Sequence, residues 1–589
     1  MKINFVCLHV QESTRSIPLG AAMIAANAKK HFEQALSIQI IDCALPSVLA
    51  ENCKKITANK PECVCFSLYL WNVTQSLALI DQLKKEFPEM IIIVGGPQAS
   101  VLPDVFADIP AINYIVTGEA EESIIPLFQA LMDKKQDIPR ITRQNKMPDL
   151  QYLPSPYLTE ILDLDKYKAA LWELSRGCPF NCAFCYESRQ NRGIRRFPIN
   201  RIKKELQLFQ TKKIQEVFVL DPTFNYNKAE AKEILKAIAE VAPEIHFSFE
   251  VRAEFLDQEM TNLFSRINCS IQIGLQSIHP KVLKKINRSF SKQEFTEKVF
   301  LLHEADLTYG FDLIFGLPGD NLTGFLESLD YAFSLSPNHV DIFPLTVLPG
   351  TELFEQAKNL DLNYQIEKEY KVSGNKSFSP KDLEKAENIA DLADLFYNQG
   401  KAVSWFDLIL PYLNLSASEF FSLLATQQTL SQNISSPLEY QQRAIDYIFT
   451  NKGLTSTMMT VKCLITYFWH SNSVFSEESM EIEIANGYIL NPDLQMAIFD
   501  YNPLAIIQLI QEGINDFSQI TQMIKKQKTR MLIYAFDYSI EHYICSEEEY
   551  SFISRAIQGH GRKEQEIPMI NNHDKVIRKF LKAGIIAEK

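Results

Sequence analysis

Three thiols stand within eight residues of this chain, in Cys178-Pro179-Phe180-Asn181-Cys182-Ala183-Phe184-Cys185, with the spacing C-x3-C-x2-C. A cubic iron–sulfur cluster is closed by four thiolates. A loop that offers three leaves one iron open to an outside ligand, and an open iron can do chemistry. The alternative is a structural zinc knuckle. Zinc takes four ligands, usually from two C-x2-C pairs or with histidines close by. No histidine occurs between His31 and His246, so a local fourth ligand is missing and the spacing favours a cluster.

The residues around the loop say where it sits. Trp172-Glu173-Leu174-Ser175 reads as a short strand that enters Arg176-Gly177, where the chain turns into the cysteines. A basic stretch from Arg189 to Arg196 follows, then an amphipathic helix from about Ile199 to Phe209. The run Ser175-Arg176-Gly177-Cys178-Pro179-Phe180-Asn181-Cys182-Ala183-Phe184-Cys185-Tyr186 resembles the signature loop of radical S-adenosylmethionine (SAM) enzymes. In that family the amino and carboxylate groups of SAM chelate the open iron. The resemblance therefore implies a 4Fe-4S cluster on Cys178, Cys182 and Cys185, with Phe184 lying by the adenine of SAM.

At 589 residues the chain has room for roughly three or four domains and a sizeable core. Asp and Glu number 72 against 59 Lys and Arg, a net charge of −13, which argues against a generic nucleic-acid coat but permits a local basic site. No run of 18 or more apolar residues is present, so no membrane span is expected. The start, Met1-Lys2-Ile3-Asn4-Phe5-Val6, reads as a strand and not as a signal peptide. Eleven cysteines with three clustered suit a reducing cytoplasm better than a disulfide framework.

Residues 1–140 alternate strand-like and helix-like segments. Apolar runs at Ile3–Cys7, Ile38–Ile41, Cys63–Ser67, Met90–Val94 and Tyr114–Val116 are separated by helical patterns such as Leu19–His31, Val73–Phe87 and Glu121–Met132. Five such units predict a doubly wound, Rossmann-like parallel sheet that binds ligands beyond the carboxyl ends of its strands. The turns there are Ser67-Leu68-Tyr69-Leu70-Trp71, Gly95-Gly96-Pro97-Gln98 and Thr117-Gly118-Glu119. Glycines at such ends let a ligand approach the backbone, although ordinary βα turns use glycine too. Together with Pro18-Leu19-Gly20 opening a helix, their order resembles the cobalamin-binding domain fused ahead of many radical SAM enzymes. That likeness implies Ser67, Tyr69, Gly95, Gly96, Gly118 and Glu119 as cobalamin-facing residues. It departs in one respect: the Asp-x-His-x-x-Gly of domains that ligate cobalt is absent, and the only histidines here are His9 and His31.

A second series occupies residues 165–360, with strands at Leu171–Ser175, Glu216–Leu220, His246–Val251, Ser270–Leu275, Leu307–Phe315 and Val340–Val347. Six units are too few for a closed eight-unit barrel. They match the partial (β/α)6 barrel of the radical SAM family. Polar residues collect at the strand ends, where parallel barrels do their chemistry. A carboxylate such as Glu250 suits a ribose diol or an ammonium, Arg252 a carboxylate, and Gln276 both donors and acceptors. By the resemblance, Glu250, Arg252, Gly274 and Gln276 surround SAM; alternatively Glu250 and Arg252 form a structural ion pair at the rim.

Residues 375–589 read as a mainly α-helical C-terminal domain without a recognisable site, with one strand-like run at Arg530–Tyr538. Substrate recognition is the role suggested for it. Among the other cysteines, Cys63 and Cys65 alternate on one strand and face one core. Cys7, Cys43 and Cys53 offer the ligand count of the second cluster found in methylthiotransferases, without that family's spacing.

The expected protein is a cytoplasmic, cobalamin-type radical SAM enzyme. In the mechanism the resemblance implies, a reduced cluster cleaves SAM to methionine and a 5′-deoxyadenosyl radical that removes hydrogen from an unactivated carbon; methylcobalamin then methylates the substrate radical, and a second SAM regenerates the methyl group. A flavodoxin or ferredoxin supplies electrons, and Arg189, Arg192, Arg195 and Arg196 meet an anionic substrate or that partner, or form a solvated loop. The alternatives are radical rearrangement, cyclisation or cleavage without methyl transfer, and a non-catalytic cobalamin- or redox-sensing protein.

Overall fold

Near-continuous apolar runs such as Ile91–Gly95 build one parallel sheet, and runs that alternate apolar with polar residues, such as His246–Val251, build a second. The computed structural model describes residues 1–45, 47–187, 193–366, 369–474, 482–484, 488–536, 539–559 and 573–588. The chain forms two compact units, 1–322 with 344–383 and 323–343 with 384–589.

The first sheet has six strands: β1 (Lys2–His9), β2 (Ser37–Ala44), β3 (Cys63–Ser67), β4 (Ile91–Gly95), β5 (Tyr114–Val116) and β6 (Ile141–Thr142). Their order is β2-β1-β3-β4-β5-β6, all parallel. The chain reverses its winding between β1 and β3, which is the switch point at which doubly wound sheets open a ligand crevice. Along β1, Ile3, Phe5 and Cys7 pack into one core, and Val6 and Leu8 into the core on the opposite face. This period of two is what a strand buried on both faces requires. The short strand β6, absent from the sequence reading, adds a sixth unit.

The second sheet comprises β7 (Ala169–Trp172), β10 (Glu216–Val219), β11 (His246–Val251), β12 (Cys269–Gln276), β13 (Thr308–Phe315) and β14 (His339–Pro344), in the order β14-β13-β12-β11-β10-β7. The pairings from β7 to β13 are parallel. Between β7 and β10 lies a two-stranded antiparallel ribbon of β8 (Ser175–Arg176) and β9 (Arg195–Arg196). One boundary corrects the sequence reading. The first barrel strand stops at Trp172 instead of running to Ser175, because Asp221 accepts hydrogen bonds from the backbone N–H of Leu174 and Ser175, at 3.0 and 3.3 Å. Donors engaged by a side chain are lost to the sheet ladder.

The second unit is mainly helical around an aromatic core of Phe333, Phe396, Tyr397, Trp405, Phe406, Phe420 and Phe421. It also carries two three-stranded sheets, Gln495–Phe499 with Thr529–Phe536 and Ser539–Cys545, and Glu483–Ile484 with Tyr488–Leu490 and Ile586–Glu588. The strand expected over Arg530–Tyr538 is the central one of the first; Asp537 and Tyr538 lie outside the described residues. Among the described residues no single helix is long and apolar enough to cross a membrane.

Cys63 and Cys65 are buried in the same core as Cys7, whereas Cys43 and Cys53 are buried on the opposite face of the sheet. Burial pushes the thiol of Cys43 up to about 11, away from the thiolate a metal needs. A Cys7/Cys43/Cys53→Ala variant is therefore expected to keep the iron and sulfide content of the wild type after anaerobic reconstitution; a halving of both would establish a second cluster.

Candidate functional site

The cysteine loop leaves the second sheet where β7 ends. Asp221, on the turn after β10, holds the departing strand by Leu174 N–H, Ser175 N–H and the Ser175 hydroxyl. Gly177 then turns the chain at φ +92°, a left-handed conformation that a side chain would strain. Further along, Ala183 N–H donates to Ile286 O at 3.1 Å, Leu353 N–H to Ala183 O at 2.8 Å, and Asn287 Nδ2 to Asn181 O at 3.0 Å. The loop is thus pinned to segments that follow β12 and β14.

Cys178 and Cys182 are buried and Cys185 is half-buried. Burial pushes the Cys178 thiol up, the Phe180 N–H, Thr223 hydroxyl and Arg252 guanidinium favour its thiolate, and Cys182 opposes it. Cys182 receives a hydrogen bond from Arg288, a buried guanidinium that also donates to Gly274 O at 2.7 Å. Among the described residues no three His, Cys, Asp or Glu side chains close on a point that one ion would fill. A tetrahedral zinc at about 2.3 Å draws its thiolates to within about 4 Å of each other. A cubane binds each thiolate through a different iron, so its ligands stand further apart. Three thiols, flanked by Arg252 and Arg288 to balance an anionic centre, fit the cluster in their chemistry.

The strand-end residues line the mouth beside this loop. Arg252 lies with Cζ 3.8 Å from the centre of the Phe180 ring, its backbone held by Asn225 at 2.9 and 3.0 Å. Its Nε donates to Glu254 at 2.7 Å, so the expected alternative of a Glu250–Arg252 pair is replaced by an Arg252–Glu254 pair. Glu250 is open to solvent yet surrounded by protein, as on a cleft wall, and its carboxyl is pushed up to about 7 by burial, then by Asp312 and Glu187. Glu250 lies opposite Gln272, which donates to Asp312 at 2.5 Å. Gln276 has φ +58° beside a bulge in β12, and its amide folds back over Gly274, where a Cβ would stand 2.6 Å from Nε2. At 6 % exposure its Oε1 has no hydrogen-bond partner among the described residues. A strained, buried and unsatisfied side chain is costly unless a ligand completes it. Phe184, half-buried, lies in the same loop as the thiols.

The first sheet presents its own edge. Ser67 and Gly95 end β3 and β4, and Gly96 and Gly118 follow β4 and β5, all on the carboxyl side. A Cβ on Gly96 would come 2.9 Å from Leu68 N and O, and one on Gly118 2.1 Å from Gln144 Oε1. Chain packing alone explains both glycines. Ser100 Oγ ties these turns together, donating to Gly96 O at 2.8 Å and accepting from Gly118 N–H at 2.9 Å. Beside them Tyr69 stacks on Trp71, ring centres 4.4 Å apart, and Trp71 is 47 % exposed. An open aromatic pair at a switch point fits one side of a large planar group such as a corrin. Glu119 is otherwise employed: its carboxylate is bound by Arg176 at 2.8 Å and by Arg195. His9 is likewise engaged, by Asp42 at 2.8 Å.

Sequence reasoning did not single out Gln272, Asp312 or Arg288. The first two stand on the same strand face as Glu250, an alternation legible once the strands are aligned; nothing in the sequence marks Arg288. Of the basic stretch, Arg195 pairs with Glu119 and Arg196 with Glu230, while Arg189 and Arg192 lie outside the described residues.

A family model described as the Radical SAM superfamily matches residues 172–332, and one described as the B12 binding domain matches residues 13–126. The chain thus combines a radical SAM domain with a B12-binding domain. Its cofactors are accordingly a 4Fe-4S cluster, SAM and cobalamin. It is 24% identical over 331 residues to the cobalamin-dependent radical SAM methyltransferase TokK of Streptomyces tokunonensis, covering 50% of this chain and 48% of that protein. It is also 24% identical to a 2-(S-pantetheinyl)-carbapenam-3-carboxylate methyltransferase of Streptantibioticus cattleyicolor, covering 60% of this chain and 56% of that protein. The chain thus spans about half the length of these two relatives. In fold it resembles the cobalamin-dependent radical enzyme OxsB with aqua-cobalamin bound, at TM-score 0.54 and 15% identity over 80% of each chain. It also resembles the methyltransferase TsrM from Kitasatospora setae with cobalamin and a [4Fe-4S] cluster bound, at TM-score 0.51 and 15% identity over 61% of this chain and 75% of that one.

Burial raises the carboxyl of Asp221 to about 6, against the hydrogen bonds from Ser175 and Leu174 that favour its ionised form. The folded state therefore binds more protons than the unfolded one between about pH 4 and pH 6, and stability falls as pH rises through that window. Wild type should lose about 1 kcal/mol more than Asp221→Asn between pH 5 and pH 7 in denaturant titrations. Equal losses would show that Asp221 is already ionised at pH 5.

Proposed function

We propose that the chain is a cobalamin-dependent radical SAM methyltransferase acting on an unactivated carbon. The observation that carries the reading is the three-thiol loop at the mouth of a parallel sheet, in one compact unit with a B12-binding domain. The two relatives above are both methyltransferases by name, which favours methyl transfer over rearrangement, cyclisation, cleavage or sensing. In this reading residues 1–140 bind cobalamin, 165–360 form the radical SAM barrel, and 375–589 contribute to substrate recognition.

When bound, the cluster supplies the electron that splits SAM into methionine and a 5′-deoxyadenosyl radical, and cobalamin carries the methyl group. Cys178, Cys182 and Cys185 hold the cluster, with Arg252 and Arg288 offsetting its charge. Phe184 packs by the adenine. Glu250, Gln276 and the open backbone at Gly274 receive the polar groups of SAM, with the unpartnered Gln276 Oε1 accepting from a ligand donor. Ser67, Tyr69, Gly95, Gly96 and Gly118 face the corrin, while Glu119 supports that edge from behind. The walls exclude water from a radical that would otherwise be quenched. A small redox protein such as flavodoxin or ferredoxin supplies the electron.

Anaerobic reconstitution with iron, sulfide and cobalamin, followed by SAM and dithionite, tests the reading. The expected products are 5′-deoxyadenosine and methionine, from protein that retains cobalamin through gel filtration. Cys178/Cys182/Cys185→Ala should lose both the brown chromophore and SAM cleavage. Cleavage by protein that takes up no cobalamin would overturn methyl transfer, and no cleavage at all would overturn the enzyme.

A further inference from the structure

Arg176 stands two residues before Cys178, with a side chain only 12% exposed, and its guanidinium is divided among three glutamates. Nε and Nη2 donate to Glu173 at 2.9 and 3.0 Å, Nη1 to Glu119 at 2.8 Å, and Nη2 also to Glu121 at 2.7 Å. Glu173 belongs to the arginine's own segment. Glu119 and Glu121 follow β5 of the first sheet, directly after the Gly118 turn, at the N-cap and in the first turn of the helix Ala120–Met132. The other oxygen of Glu119 is bound by Arg195, whose Nη1 also donates to Pro148 O at 2.9 Å. Arg176 and Arg195 are direct partners across the β8–β9 ribbon. Glu119 is therefore gripped from both strands of the ribbon that frames the cysteine loop.

Helix capping does not account for these acids. A negative charge in the first helical turn is favourable, but exposed Glu122 provides it without burial. Glu121 is instead 4% exposed and reaches across to Arg176. Burying several charges together is costly unless each is paired with good geometry, and the planar fork of arginine can satisfy several carboxylates in one plane where lysine cannot.

We infer that Arg176, Glu119 and Arg195 form a strut of positioning residues that fixes the Gly118 turn of the first sheet at a set separation from the cysteine loop of the second. The inference rests on the functional reading only for what that separation governs, the distance from the corrin to the cluster. Radical formation and methyl delivery must converge on one carbon, and a misplacement of about 1 Å can cost about a hundredfold in rate. None of the three residues needs to touch substrate or cofactor in this role.

The full chain, reconstituted with cluster and cobalamin, tests the strut by pulsed dipolar EPR between cob(II)alamin and the reduced cluster. Wild type should give one narrow distance, and Arg176→Lys and Glu119→Gln a longer or broader one at unchanged iron and cobalamin content. A wild-type distance distribution in both variants would overturn the strut. Should Arg176→Lys fail to fold, the more exposed Arg195→Lys carries the same test. Failure of wild type to bind cobalamin would sink the functional reading and leave the strut to hydrogen exchange on the unloaded chain. There Glu119→Gln should speed exchange about tenfold in residues 118–121 and 175–185 together. Faster exchange in only one of the two segments would overturn it.

Discussion

Asp221 holds the chain at the point where ordered strand gives way to reactive loop. Its carboxylate accepts from two backbone N–H donors that the sheet ladder would otherwise claim, and from the Ser175 hydroxyl, so β7 ends at Trp172 and the next residues are free to turn outward. The position of three thiols, the approach of Arg252 and Arg288, and the reach of Arg176 toward the first sheet all depend on where this strand is cut.

The site that results is asymmetric in its electrostatics. On the thiol side two guanidiniums sit against Cys178 and Cys182, as an anionic cluster requires. Glu250 and Asp312 form a separate acidic group, with Gln272 holding Asp312 in place. SAM is a zwitterion with a sulfonium, so cationic and acidic groups suit both its ends. Gln276 Oε1 is unsatisfied among the described residues, and its backbone is held in a conformation that glutamine adopts only under constraint.

The strands of the first sheet were legible as near-continuous apolar runs and those of the second as alternating ones, and most observed ends lie within two residues of those expected. The cysteine loop was legible because its chemistry is written in consecutive residues. What escaped were interactions between residues far apart in sequence. Asp221 acts on a segment 46 residues earlier, and Glu119 meets Arg176 across 57. A carboxylate at a strand end reads equally as ligand or strut until its partner is placed. Gly96 and Gly118 illustrate the same ambiguity, since packing against Leu68 and Gln144 requires them before any ligand does. The small antiparallel sheets of the second unit were missed, apart from the strand at Arg530, because their strands are only partly buried and interleave polar residues.

The central claim is that the loop leaves one iron open and that SAM fills it. EPR of the dithionite-reduced, reconstituted chain, recorded before and after addition of SAM, addresses this directly. The account predicts a reduced-cluster signal whose g values shift on SAM binding, because the amino and carboxylate groups of SAM enter the iron's coordination sphere. A cluster signal indifferent to SAM, or a loop that takes up zinc and no iron, would contradict it.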